Sequence, residues 1–314
     1  MPAAAIDGAI AASKEGLDVI LVGKADILSA ELAKREAKLE IHNADDVIDM
    51  KDSAANVRRR KESSVMQAAA LVKQGKASAF VSMGHSGATM ATALLVLGRV
   101  KGIERPAILA NIPSKSAYWA LIDAGANADC KPKYLQQFAI MGSVYARAFF
   151  NKSTPRVGLL SIGEEEGKGN ELIKESYKIL KRTKSINFYG NIEGRDLFND
   201  VVDVVVTDGF TGNIVLKQAE GEAKSLVSWI KDALTSNGPM VKLGAAMVKP
   251  ALKSVASRLD PSEYGAQPLL GVNGYAFIGH GSSDARAVHN ALKTAKRMID
   301  AELVEKIRDG ISNS

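Results

Sequence analysis

Short apolar runs, each closed by a small or polar turn and followed by a helical pattern, constrain this fold more than any other feature. Residues 17–23, 78–82, 106–111, 157–162, 201–207 and 275–279 read as strands, with shorter ones near 39–42 and 187–190. Between them apolar positions recur at helical spacing in 24–38, 62–73, 89–97, 132–150, 214–234 and a closing helix to 308. Another helix opens at Asn170, with Ile173, Tyr177 and Leu180 on one face. Such alternation predicts a largely parallel sheet covered by helices on both faces. The segment 118–125 reads equally as a further strand or as a hairpin arm.

Five of these strands end in the turns MGHSGA, GEEEGKGN, GNIEGRD, DGFTGN and HGSSDA. Ligands of open α/β sheets bind beyond the carboxyl ends of strands, so five such turns at one edge predict a site there. The second turn is the most informative. Gly167 and Gly169 let backbone approach a ligand, and Asn170 is placed to cap the next helix. Lys168 adds a cation to the free N–H groups of that helix start, which suits a phosphate-like anion. An ordinary glycine turn with an exposed lysine fits equally well. A Walker loop is excluded, because three residues separate Gly163 from Gly167 and Gly169 follows the lysine. Glu164, Glu165 and Glu166 must face away if an anion sits here.

The length of 314 residues allows one large domain or two, and the formal charge of +6 favours acidic partners or membrane surfaces without choosing. Cys130 is the single cysteine, so no intrachain disulfide can form and a reducing cytoplasm fits best. No signal peptide is expected at the N-terminus. Residues 77–98 carry no charged side chain, but Ser82, Gly84, His85, Ser86 and Gly87 break the run, which reads as strand, turn and helix. The basic run 58–61 could meet phosphate or an acidic partner, or be a solvated loop. It lacks the interleaved aromatics of nucleic-acid binding, so no nucleic-acid partner is expected. Residues 235–265 are amphipathic with a basic face, and Pro250 is expected to divide them into two short helices. Such a hairpin could lie on an anionic membrane, pack in a dimer or close over a site.

Six stretches, VSMGHSGA (81–88), DCKPKYLQQFAIMGSVYAR (129–147), GEEEGKGNEL (163–172), NIEGRD (191–196), DGFTGNIVLK (208–217) and HGSSDA (280–285), resemble the bacterial phosphate acyltransferase PlsX family, in family order. The resemblance implies transfer of a long-chain acyl group from acyl carrier protein to inorganic phosphate for phospholipid synthesis; no cofactor and no metal are expected. A downstream glycerol-3-phosphate acyltransferase would consume the acyl phosphate. It also implies a three-layer α/β/α, isopropylmalate-dehydrogenase-like domain spanning 1–314, with 235–265 as an inserted helical hairpin. A homodimer, and a cytoplasmic location with loose contact to the inner face of the membrane, belong to the same expectation. Two departures stand out. The family's opening strand and MGGDxAP turn have no counterpart before residues 3–9, and its usual GNTGA reads GHSGA here.

Phosphate is already ionised near neutral pH and a thiolate leaves readily, so positioning and electrostatic stabilisation should dominate such a reaction. Lys168 with the 167–170 backbone is the expected holder of phosphate or the developing oxyanion. Asn170, Asn191 and Asn213 are the neutral donors, and His85 or His280 either protonates departing sulfur or plays a structural part. Gly84, Ser86, Gly167, Gly169, Glu193, Asp208, Ser282 and Ser283 complete the expected substrate contacts, Ser282 also reading as a helix cap. A covalent route through Cys130 lacks an identifiable partner, and a small buried residue is the simpler reading. Asp203, Asp208, Glu193 and Asp196 match no recognised metal loop. An acyl-CoA enzyme of the phosphotransacetylase kind and a non-catalytic membrane scaffold are the alternative functions.

Overall fold

The computed structural model describes residues 2–236, 238–281 and 283–314. In chain order its elements are α1 (Pro2–Lys14), β1 (Ile20–Gly23), α2 (Ala25–Ala33), β2 (Glu40–Asn43), α3 (Ser64–Lys73), β3 (Ala79–Ser82), α4 (Ser86–Val96), β4 (Ala107–Pro113) and β5 (Tyr118–Ile122). There follow α5 (Pro132–Phe149), β6 (Arg156–Leu160), α6 (Glu171–Arg182), β7 (Asn187–Ile192), β8 (Val204–Val206), α7 (Gly209–Ser236) and α8 (Pro239–Arg258). The chain closes with β9 (Ala266–Leu270), β10 (Tyr275–Gly279), α9 (Ala285–Asp300) and α10 (Leu303–Ser312).

Eight strands form one sheet in the order β3-β10-β9-β4-β5-β8-β6-β7, and β1 pairs with β2 separately. Helices cover both faces, as the alternating pattern requires. On one, Phe138 and Tyr145 of α5, with Ala291 of α9 and Leu303 of α10, pack on Leu109, Val204 and Phe277. On the other, Ala93 of α4 and Leu216 of α7 pack on Phe80, Leu121 and Val205. Most strand pairs are parallel, but β9 is antiparallel to both its neighbours and β4 to β5. No helix among the described residues is long and apolar enough to cross a membrane.

Those antiparallel pairs overturn one expectation. β3, β10 and β4 run opposite to β5, β8, β6 and β7, so the five glycine turns divide between two rims of the sheet. MGHSGA and HGSSDA close β3 and β10 at one rim, while GEEEGKGN, GNIEGRD and DGFTGN close β6, β7 and β8 at the other. The reversal is made by a tight β4–β5 turn, in which Ser114 N–H donates to the Ala117 carbonyl at 2.9 Å.

The two halves of the sheet meet at only two residue pairs, Ala107↔Leu270 and Ile108↔Leu269. Pro268 comes next on β9. It has no N–H for the carbonyl of Leu109 opposite, so the ladder ends and the strands part.

Pro250 does not divide α8, which runs unbroken through it. The helix lies at the surface, where water can satisfy the Ala246 carbonyl that the proline leaves without a donor. The hairpin is therefore built from the C-terminal half of α7 and the whole of α8. The closing helix, by contrast, is interrupted by Glu302, whose φ of 51° separates α9 from α10.

Candidate active site

Where β4 and β9 part, a cleft of about 430 Å³ opens between the half-sheets and beneath α7. Ser86 and His280 reach it from one rim and Asn213 and Gly125 from the other, so turns at opposite rims share one cavity. Asn111, Arg258 and Tyr264 also line it; Arg258 belongs to the basic face of 235–265, while Asn111 and Tyr264 are not among the expected site residues. A polar residue within the apolar run 106–111 was a usable signal for Asn111. Tyr264 enters the cleft through long-range packing that no local pattern encodes.

The DGFTGN turn is seated on a buried aspartate. Asp123, fully buried, accepts hydrogen bonds from the N–H groups of Ile108, Gly125, Ala126 and Asn127 and from Asn127 Nδ2, at 2.8–3.1 Å. Burial pushes its carboxyl pKa up, and the hydrogen bonds pull the other way. Gly212 lies so close that a Cβ there would stand 1.9 Å from the Asp123 carbonyl oxygen. Asp208 caps α7 by accepting from Thr211 N at 2.8 Å and Thr211 Oγ1 at 2.9 Å. That leaves Asn213, one turn along, beside Gly125.

The Lys168 loop lies on the same rim but does not line the cleft. Three strand steps separate β6 from β4, about 14 Å at ordinary spacing. Asn170 Oδ1 caps α6 by accepting from Ile173 N at 3.0 Å, and Gly169 has a φ of 102° and meets Ile173. Asn191 is buried and donates to the Glu165 carbonyl at 2.9 Å, its Oδ1 lacking a partner. Glu166 pairs with Lys181 at 2.9 Å, Glu164 approaches Arg195 at 3.9 Å, and Glu193 holds Arg195 at 2.9 Å. The exposed Lys168 has no ion pair among the described residues. Two of the three glutamates are thus directed to other cations, as an anion site here requires.

His85 is engaged through both ring nitrogens. Nδ1 accepts from Ala88 N at 3.2 Å, which makes the ring the N-cap of α4 and puts its proton on Nε2, 3.0 Å from the Asp52 carbonyl. This geometry is that of a cap, and the ring has no nitrogen left for substrate. The loop it holds is fixed by Arg60, which binds Asp46 and Asp52 and keeps the Asp46 carboxyl below its usual range. Gly84 precedes this cap, and Ser283 N–H donates to the His280 carbonyl at 2.9 Å. Asp284, not a serine, caps α9 through Ala287 N. Ser282 lies outside the described residues.

Cys130 Sγ sits 3.5 Å from the Asn127 carbonyl, and burial, followed by the Asp123 charge, pushes its pKa up to about 12. A thiol so held is protonated at neutral pH and a poor nucleophile. Cys130→Ser is expected to keep activity within about twofold, and the native thiol to resist iodoacetamide at pH 8 until the chain unfolds. Loss of activity on rapid alkylation of the folded protein would restore the covalent route.

The fatty acid synthesis protein family model matches residues 1–306. The chain belongs to this family. A phosphate acyltransferase from Thermus thermophilus is 55% identical over 311 residues, 99% of this chain and 95% of the relative. One from Elusimicrobium minutum is 51% identical, over 97% and 91% of the two chains. Among solved structures, a phosphotransacetylase from Streptococcus pyogenes matches with a TM-score of 0.61 at 18% identity, covering 96% of this chain and 91% of the other. A 4-hydroxythreonine-4-phosphate dehydrogenase from Klebsiella pneumoniae gives 0.56 at 12% identity, covering 94% of each. The structural neighbours share the fold of this chain, and at such low identity they speak for the fold alone.

Proposed function

We propose that this chain makes acyl phosphate from an acyl thioester and inorganic phosphate, with acyl carrier protein as the acyl donor. Acyl transfer to phosphate is the activity for which its relatives at about half identity are named, and the chain is an acyltransferase of that family. The observation that carries the reading is the cleft. Ser86, His280 and Asn213, drawn from opposite rims, converge on one cavity with space for a donor arm. The thioester carbonyl lies at its Asn213 end, nearest the Lys168 loop. Lys168 and the α6 N-terminus gather phosphate there, and Asn213 and Ser86 orient the reacting groups. Incubation with acyl-loaded carrier protein and phosphate should release acyl phosphate and free carrier thiol in equal amounts. Faster turnover of acyl-CoA would replace the carrier-protein reading with the phosphotransacetylase-like one.

A second copy of the chain covers the hairpin arms. Trp229, Met240, Leu243 and Met247 are 61–79% exposed along α7 and α8, the kind of apolar surface that marks an interaction site. Trp229→Glu with Met247→Glu is expected to lower the sedimentation mass from two chains to one. Unchanged mass together with lost binding to anionic vesicles would assign the arms to a membrane surface instead.

A further inference from the structure

The loop that carries Lys168 has little packing to hold it. Residues 163–169 are glycines and glutamates apart from the lysine, and all but Gly163 and Gly169 are exposed. A Cβ on Gly167 would meet nothing within 4 Å. The loop gives no apolar side chain to the core, so hydrogen bonds and backbone contacts must set its shape.

The Glu165 carbonyl collects two of those bonds. It accepts from Lys168 N–H at 3.0 Å, which closes the turn that presents the lysine. It also accepts from Asn191 Nδ2 at 2.9 Å, which ties the same turn to β7. Asn191 stands opposite Leu159 in the β6–β7 ladder and is only 2% exposed, so its position is that of the sheet. Its Oδ1 is buried without a partner, and the bond to Glu165 is what this amide contributes.

The side chain of Lys168 has its own seat. A Cβ on Gly163 would stand 2.8 Å from Lys168 Cγ and 3.2 Å from its Cδ. The aliphatic stem therefore lies across the backbone of Gly163 and buries it, while the ammonium beyond stays in water. Gly163 is not among the glycines of positive φ, so the position needs glycine for space and not for conformation.

We infer that Asn191 and Gly163 are positioning residues for Lys168. Asn191 fixes the turn from which the lysine rises, and Gly163 fixes the direction its stem takes. Both act on the anion through the ammonium and neither touches it. The inference rests on the proposed role of Lys168 and names what aims it.

The test is a double-mutant cycle on acyl phosphate formation by the full chain, with inorganic phosphate as the varied substrate. Asn191→Leu keeps the bulk of the side chain and removes the donor together with the unpaired Oδ1. Gly163→Ala meets the lysine stem and, at 2.9 Å, Glu165 Oε2, both of them side-chain atoms that can swing away without moving backbone. Each substitution is expected to lower kcat/KM for phosphate about three- to tenfold, through KM, with KM for the acyl donor unchanged. In a Lys168→Ala background each should change it by less than about twofold, because no ammonium is left to aim.

KM does not depend on the folded fraction, so partial misfolding cannot imitate this result. Native KM for phosphate in a single variant, or an equal loss with and without Lys168, would overturn the assignment of that residue. A rise in KM for both substrates alike would do the same, since a residue that only supports the fold acts on both. Native KM for phosphate in Lys168→Ala itself would overturn the proposed role of the lysine, and the inference with it.

Discussion

Changing Lys168 to alanine is expected to cut kcat/KM for inorganic phosphate by about 10- to 100-fold, with most of the loss in KM. Charge-assisted hydrogen bonds contribute about 1.5–3 kcal/mol, which sets that range. Lys168 is three strand steps from β4 and outside the cleft lining, so it acts on the small anion and not on the bound donor. Its neighbours make the assignment specific. Glu166 is held by Lys181 and Glu164 lies near Arg195, so two of the loop's three negative charges are directed to other cations. Lys168→Arg keeps the charge and should recover most of the affinity, whereas a merely structural lysine would show no such rescue. An alanine variant with native KM for phosphate removes Lys168 from the reaction.

Asp123→Ala is expected to destabilise the fold by about 4 kcal/mol, because it strands a set of buried donors at once. At the usual entropy of unfolding per residue, a 314-residue chain should lose roughly 6 °C in Tm. Four backbone N–H groups and the Asn127 amide converge on this carboxylate, and no nearby acceptor replaces it. The damage should spread to the cleft, since Gly212 and the start of α7 rest on the same turn. Hydrogen exchange should therefore rise first at 123–127 and 208–213. An unchanged Tm would mean that the turn is held by packing and not by the aspartate.

The parts of this molecule that were legible in the sequence are those set by local periodicity. The strands 78–82, 157–162 and 275–279 and the helix opening at Pro132 emerge within a residue or two of expectation, because burial on one or both faces dictates their patterns. Strand direction was not legible. It is decided by which edges pair: β9, whose Gln267 and Pro268 conceal a five-residue strand, runs against both its neighbours, and the antiparallel step from β4 to β5 reverses the rest of the sheet. For the same reason the five glycine turns, alike in composition, looked like one rim when they occupy two. Pro250 misled in the opposite way: a missing hydrogen bond interrupts a helix where the freed carbonyl is buried, and α8 is exposed. For His85 the sequence leaves a general acid and a structural part both open, and the ring stands at the start of α4 as its N-cap.

The chain's two tryptophans occupy contrasting settings: Trp119 is 2% exposed in the central sheet and Trp229 is 64% exposed on a hairpin arm. Intrinsic fluorescence should accordingly divide into a blue-shifted emitter that reports on global unfolding and a red-shifted, readily quenched one. Whatever docks on the arm should shift only the second. A single spectrum, with acrylamide as quencher, can then follow assembly and melting as separate events without any added label.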